Sequence, residues 1–238
     1  MPTPAIVVLT GAGISADSGI ATFRGGGGLW EGHRIEDVAT PAAWKRDPTL
    51  VWRFYQLRRA AVQRAEPNAA HRALAAFETR CRARGVPFLL VTQNVDDLHE
   101  RAGSTPLHMH GELLKLRCTG CGARTENRVD LDPERFVPCG RCGSRALRVD
   151  VVWFGEMPYR TDEIESAVAR CSHFVSLGTS GVVYPAAGYL AAARIVGAKT
   201  FVQSLDEPEN LDPRDDFRPG RAVDAVPALL AELEALLS

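Results

Sequence analysis

No stretch of this sequence approaches the roughly 20 consecutive apolar residues that a membrane-spanning helix needs, so no membrane-embedded helix is expected. An excess of one charge is missing too. Lys+Arg of 28 against Asp+Glu of 29 leave a net charge of -1. Without a global basic field, no nucleic-acid partner is expected. The stretch from Met1 to Leu9 has no basic residue ahead of its apolar run, so it reads as a first strand and not as a signal peptide. A cytoplasmic setting is therefore expected. Internal repeats are lacking, and the only low-complexity tract is Gly25 to Gly28. Cysteine is sparse: of six, four form two C-x-x-C pairs, while Cys81 and Cys171 stand alone. In a reducing compartment such pairs point to a metal and not to disulfides.

What is present is ordinary for a globular protein: 238 residues, 45% hydrophobic and 24% charged. That length suits one domain with a full core, or one domain with small inserted modules. Short apolar, β-branched runs at Ala5–Leu9, Val86–Val91, Val149–Phe154, Phe174–Gly178 and Thr200–Val202 read as buried parallel strands. Helical patterns lie between them at Pro48 to Arg64, His71 to Arg84, Asp162 to Ala169 and Ala186 to Val196, with a last helix from Val226 to Leu237. Alternating strands and helices predict an α/β fold: a Rossmann-like, doubly wound parallel sheet. Two segments break the rhythm and read as insertions into a single domain spanning 1–238. One is helical, about 34–84; the other, about 116–148, is rich in Cys, Gly and Arg. The core then comprises about 1–33, 85–115 and 149–238.

Gly11-Ala12-Gly13-Ile14-Ser15-Ala16 follows the first strand with the spacing G-x-G-x-x-A. Glycines there let the backbone turn tightly and approach a pyrophosphate. No acidic residue ends a second strand roughly 20 residues on, as a simple dehydrogenase would require; instead Phe23-Arg24 and a glycine run suggest a loop closing over the ligand. Gly178-Thr179-Ser180 ends another strand, where ligands of such sheets bind. The array Cys118-x2-Cys121-x17-Cys139-x2-Cys142 suits a closed tetrahedral zinc shell with no open position, hence a structural ion. Thr92 to His99 is a polar stretch at the end of a strand. His108 and His110 stand at i, i+2, which share no helix face, so a metal pair from one helix is not expected. A histidine with a pKa near ~6.5 suits general-base work.

Together these segments resemble the sirtuin family. The matching pieces are GAGISADSGIATFR (Gly11 to Arg24), GLW (Gly28 to Trp30), TQNVDDLHERAG (Thr92 to Gly103), HGE (His110 to Glu112), the four cysteines, VVWFGE (Val151 to Glu156) and GTSGVVYPAA (Gly178 to Ala187). The resemblance implies NAD-dependent removal of acyl groups from protein lysines, releasing nicotinamide and O-acyl-ADP-ribose. It implies NAD as co-substrate, one structural zinc ion, and acylated-lysine proteins or peptides as partners. By the same resemblance His110 is the catalytic base and Asn94 assists. Gly11, Ala12, Gly13, Ser15, Phe23, Arg24 and Trp30 would wrap the NAD, Gln93 and Asn94 with Val95 would face the nicotinamide-side ribose, and Asp96 would hold the nicotinamide carboxamide. Gly178, Thr179 and Ser180 meet phosphate and ribose, and Ala222 lies by the adenine. Val152, Trp153, Phe154 and Gly155 would pair with the substrate backbone as an added strand.

Tyr55 and Arg58 are i, i+3 neighbours on a helical pattern. A phenol beside a guanidinium can grip a carboxylate. Within the family, Tyr-x-x-Arg here resembles the class III signature, which implies succinyl and malonyl substrates, with acetyl possible. One motif departs from the family: Asn-x-Glu after the last core strand is replaced by Gln203-Ser204-Leu205-Asp206-Glu207, so an adenosine contact is expected to pass to Ser204 or Asp206. The rival readings are an NAD-dependent protein ADP-ribosyltransferase and a catalytically silent NAD or zinc-ribbon binding module.

Overall fold

A computed structural model describes residues 5–22, 29–30 and 32–236, with the side chains of 29, 30 and 236 left aside. In chain order the first elements are β1 (Ile6–Thr10), a 3-10 helix (Ala12–Ser18), and the strand pair β2 (Leu29–Trp30) and β3 (His33–Arg34). Helices α1 (Ile35–Val38), α2 (Pro41–Arg46), α3 (Pro48–Arg64) and α4 (Ala69–Ala83) follow. Then come β4 (Phe88–Thr92), α5 (Leu98–Ala102), β5 (Leu107–His108), β6 (Gly111–Cys118), β7 (Arg124–Glu126) and β8 (Leu147–Val151). The chain ends with α6 (Thr161–Val168), β9 (His173–Leu177), α7 (Ala186–Ile195), β10 (Lys199–Ser204), β11 (Asp216–Pro219) and α8 (Ala222–Leu236).

Helix starts follow side-chain chemistry. Thr40 and Asp47 cap α2 and α3 by accepting the N–H groups of Ala43 and Leu50, and a proline follows each cap. Asn68 caps α4, and His71 accepts the Asn68 N–H in return.

Six parallel strands form the main sheet in the order β11-β10-β9-β1-β4-β5. The chain runs outward from β1 to β4 and β5, then returns to β9 on the other side of β1. Strand order therefore reverses between β1 and β9, which opens a crevice beyond their carboxyl ends. Both faces are covered. Ile6 and Val8 pack against Leu74 and Phe77 of α4 and Val226 and Leu230 of α8. Val7 and Leu9 pack against Ile164 of α6 and Tyr189 and Leu190 of α7. That two-sided burial explains why β1 reads as an unbroken apolar run.

One expected core strand belongs elsewhere. Residues 147–151 pair antiparallel with β6 in a separate sheet, β7-β6-β8, in the register Gly111 opposite Val151 and Cys118 opposite Leu147. A five-residue buried run looks the same in either sheet, so periodicity alone could not separate them. This second sheet has its own core, in which Leu113, Leu116, Val149 and Trp153 meet Val51, Tyr55 and Val62 of α3. Arg59 of α3 pins the helices to it. Its guanidinium is buried and donates to Leu113 O at 2.5 Å, to Asn127 O at 2.8 Å and Oδ1 at 2.6 Å, and to Val129 O at 3.1 Å. Burial pulls the Arg59 pKa down to about 10, against the pull of Asp130.

The two halves of the main sheet are sealed at Gly178, which has φ +65°; a Cβ there would lie 2.4 Å from Ile14 N. Gly178→Ala is expected to lower the unfolding free energy by about 2–4 kcal/mol, read as a lower urea midpoint at unchanged slope.

Candidate active site

The switch-point crevice is built by two turns lying back to back. Gly11 N donates to Leu177 O and Gly13 N to Gly178 O, both at 2.9 Å. A Cβ on Gly13 would lie 2.8 Å from Gly178 Cα. The glycines of the G-x-G motif are thus required for contact between turns, besides any approach to a ligand. The same contact brings Thr179 and Ser180 into one crevice with Gln93, Ser176, Gly181 and Asn210. Ala12 is half-buried beside Gly11. Phe23 and Arg24 lie outside the described residues, and Trp30 is described in its backbone only.

Ser15 is fully buried and is the hub of the polar cluster. Because His71 Nδ1 accepts the Asn68 N–H, the ring proton of this neutral histidine sits on Nε2, 3.3 Å from Ser15 Oγ. Burial lowers the His71 pKa to about 4. Ser15 Oγ also accepts from Asn94 Nδ2 and donates to Asp96 Oδ2, each at 3.1 Å. Two accepted bonds and one donated bond saturate a hydroxyl. Ser15, expected beside the cofactor, orients Asn94 and Asp96 in this structure. The Asp96 carboxyl is pushed up by burial, although Leu98 N–H on Oδ1 and the Ser15 hydroxyl favour its charged form. Val95 lies between these two side chains, and its carbonyl accepts the Leu113 N–H at 2.8 Å.

His110 Nδ1 stands 3.1 Å from Gln93 O. A carbonyl only accepts, so the proton is on Nδ1 and the lone pair on Nε2. Burial lowers the His110 pKa, while the Gln93 carbonyl works the other way. His108 clips onto the next carbonyl, with Nδ1 3.0 Å from Asn94 O. The two histidines thus face the same loop, as alternate residues of extended chain do; helix-face reasoning did not apply to them.

The 152–156 segment is tied down from within. Val152 N donates to His110 O, Phe154 N to Ala39 O, and Trp153 N to Glu156 Oε2. These three N–H groups are spent within the protein, so the expected pairing with a peptide would fall to the carbonyl edge and Gly155. Tyr55 is buried, and Trp153 Nε1 donates to its hydroxyl at 2.9 Å. Burial pushes the Tyr55 phenol well up, against the nearby Arg58 charge. Arg58 is itself buried, with its guanidinium 5.7 Å from the Phe54 ring centre.

At the end of β10 lies Ser204, an expected adenosine contact. Ser204 spends its hydroxyl proton on Asp206 O, 2.6 Å away, within its own turn. Gln203, which the sequence did not single out, reaches Gly220 O at 2.7 Å and so holds the start of α8, where Ala222 is buried. Also unforeseen were His71, His108 and Glu100. A buried-face histidine inside an apolar helix pattern was the one available signal, and it applied only to His71.

The four expected cysteines converge. Cys118 and Cys142 Sγ are 3.7 Å apart, Cys121 and Cys139 Sγ 3.8 Å, and all four lie within 4.8 Å of one another. A tetrahedron of Zn–S bonds of about 2.3 Å has edges of about 3.8 Å, so the donor set fits zinc. Gly122 N on Cys118 O and Gly143 N on Cys139 O close the two matching turns. Zinc held there by four thiolates would stabilise the fold and has no position open for chemistry. Metal analysis is expected to give one zinc per chain. A strong chelator should lower the melting temperature, and added zinc should restore it.

The Sir2 family model matches residues 11–185. The NAD-dependent protein deacylase of Escherichia coli strain K12 is 53% identical over 210 residues, covering 87% of this chain and 74% of that protein. A crystal structure of a Sir2 homologue–NAD complex superposes with a TM-score of 0.88 at 40% identity, covering 100% of this chain and 92% of that one. A Sir2 homologue mutant bound to 2'-O-acetyl ADP-ribose gives a TM-score of 0.88 at 39% identity, covering 100% and 94%. With its crevice, its four-cysteine module and these matches along most of its length, the chain belongs to the Sir2 family.

Proposed function

We propose that this chain is an NAD-dependent protein-lysine deacylase that prefers succinyl and malonyl groups and removes acetyl more slowly. The observation that carries the reaction is His110, whose Nδ1–H is committed to Gln93 O, on the loop that also presents Asn94 and Asp96. The names and ligands of its relatives support the same chemistry.

NAD, when bound, supplies an electrophilic ribose carbon for the acyl oxygen and a leaving group, nicotinamide. Asp96, fixed by Ser15 and Leu98, holds the leaving carboxamide. Asn94, fixed by Ser15 and by Thr92 Oγ1 on its N–H, orients the ribose hydroxyls. His110 Nε2 takes the proton of a ribose hydroxyl, so that the oxygen can attack the acyl carbon. Thr179 and Ser180 meet phosphate and ribose from the opposite wall of the crevice. Gly155 and the carbonyls beside it read the peptide backbone, next to the exposed side chains of Phe154 and Met157.

The acyl preference rests on Tyr55 and Arg58. A phenol whose pKa is raised stays neutral and can donate, and an arginine stays charged when buried. Trp153 links this pair to the substrate segment through its indole N–H. The bacterial relatives favour a cytoplasmic setting, where cysteine thiolates stay reduced. Among the described residues no helix is long and apolar enough to cross a membrane.

His110→Ala is expected to lower kcat about 10²–10⁴-fold with little change in melting temperature. Because the His110 pKa is lowered, its base form survives below pH ~6.5, and the acid limb of kcat/KM for NAD should lie below that value. Tyr55→Phe with Arg58→Met should cut succinyl-lysine turnover about tenfold or more while sparing acetyl-lysine. Competing acetyl and succinyl peptides followed by mass spectrometry check both points. Faster acetyl removal by the unaltered protein discards the clamp and keeps the deacylase.

A further inference from the structure

His108 stands outside the chemistry proposed above, yet it is buried at its centre. Its side chain is 7% exposed. Nδ1 lies 3.0 Å from Asn94 O and Nε2 lies 2.6 Å from Glu100 Oε1. Both partners are acceptors, and only the imidazolium ion can donate to both at once. His108 hangs from β5, the edge strand that pairs with β4 immediately before the polar loop, with Thr92 opposite His108. Glu100 belongs to α5, which follows that loop. The ring therefore spans the loop from end to end, and its hold is on the backbone of Asn94. The neighbouring carbonyl, Gln93 O, is the one that sets the His110 tautomer.

We propose that protonated His108, paired with Glu100, is a positioning residue that holds the 93–96 loop in its NAD-competent shape and releases it when the ring loses its charge. The inference rests on the reading of Asn94, Asp96 and His110 as the reaction site. Burial works against the His108 charge, but the Glu100 hydrogen bond and charge, the Glu112 carboxylate and the Asn94 carbonyl outweigh it and raise the pKa. Glu112 comes from β6 and is itself paired with Lys115. Asp96 from the loop and His99 from α5 also sense the His108 charge. His99 is held neutral by burial, with its Nε2 on Thr10 Oγ1 at 3.0 Å, and adds no competing charge. A raised pKa means that the latch is fully formed below pH ~6.5 and is lost as pH rises through the folded value. The activity profile then has two limbs of separate origin: His110 sets the acid side and His108 the alkaline side.

The test uses the full chain, Glu100→Gln and His108→Gln, with melting temperatures measured for each. Calorimetry gives NAD affinity across pH, nicotinamide release with an acyl-lysine peptide gives kcat and KM, and NMR of the ring protons in NAD-free protein gives the His108 pKa without turnover. Glu100→Gln is expected to lower the His108 pKa and to shift the alkaline limb of kcat/KM for NAD to lower pH, leaving the acid limb in place. His108→Gln should remove the alkaline limb and weaken kcat/KM for NAD about ten- to a hundredfold, with KM for the peptide unchanged. A His108 that titrates below pH ~6.5 in the unaltered protein overturns the latch, as do alkaline limbs that coincide in all three proteins. If the unaltered protein binds NAD but deacylates no peptide, the reaction reading fails, while the NMR and calorimetry still decide the latch.

Discussion

The contact on which the rest of the site depends is made by backbone alone. The turn after β1 and the turn after β9 meet with no side chain between them, at Gly11, Gly13 and Gly178. A sheet with reversed strand order leaves a gap at that point. Closing it to backbone distance places the 3-10 helix directly over the ends of β1 and β4. Ser15, in that helix, is thereby buried where Asn94, Asp96 and His71 converge. The glycines matter here less as flexible residues than as absent Cβ atoms, since any side chain would lift Ser15 off its partners.

Four histidines lie in or around this cluster, and what each does is set by its partners. His71 has an amide donor on one nitrogen and a hydroxyl on the other, so it is neutral and protonated on Nε2. His99, packed edge-on against His71 with ring centres 4.9 Å apart, has a hydroxyl on Nε2, and burial and its histidine neighbours all disfavour its ion. His108 has two acceptors and becomes a cation. His110 has one carbonyl and burial, which gives a neutral ring with its lone pair directed by the tautomer. One residue type thus supplies a donor, a spacer, the proposed latch and the proposed base: burial disfavours the charge in all four rings, and only at His108 do two carboxylates and a carbonyl outweigh it.

The candidate site was legible in the sequence where spacing and chemistry coincide. The Gly-x-Gly turn, the four cysteines and the polar stretch after β4 each fall where they were expected. Helices α3, α4, α6 and α7 begin and end within a few residues of their patterns; α3 and α4 carry local start signals in their Asp47 and Asn68 caps, while α6 and α7 have no side-chain cap and were legible from apolar spacing alone. What could not be read depends on distant partners. Whether residues 147–151 join the parallel sheet is decided by the pairing of Cys118 with Leu147 across the second sheet, not by their own composition. Saturation of the Ser15 hydroxyl needs His71, 56 residues away, to carry its proton on Nε2. His108 looked idle because Glu100 reaches it only after β5 and α5 have been folded around one loop.

The zinc module and the proposed acyl pocket are mechanically one unit, and Arg148 is the reason. It lies on β8 opposite Arg117, and two arginines side by side repel. Glu156 answers both: Oε1 takes Arg148 at 2.6 Å and Arg117 at 3.2 Å, and Oε2 takes Arg148 at 2.8 Å. The Arg148 guanidinium also lies 3.6 Å from the centre of the Trp153 ring, whose indole N–H holds Tyr55. A charge only 2% exposed is tolerated because it is paired and stacked, and removing one partner of such a pair costs about 3–5 kcal/mol. β8 is paired to β6 up to Cys118, so the four thiolates set the register of the strand that carries Arg148. A closed zinc site with no chemistry of its own would therefore still act on the proposed acyl pocket, by fixing the arginine that fixes the tryptophan that orients the phenol.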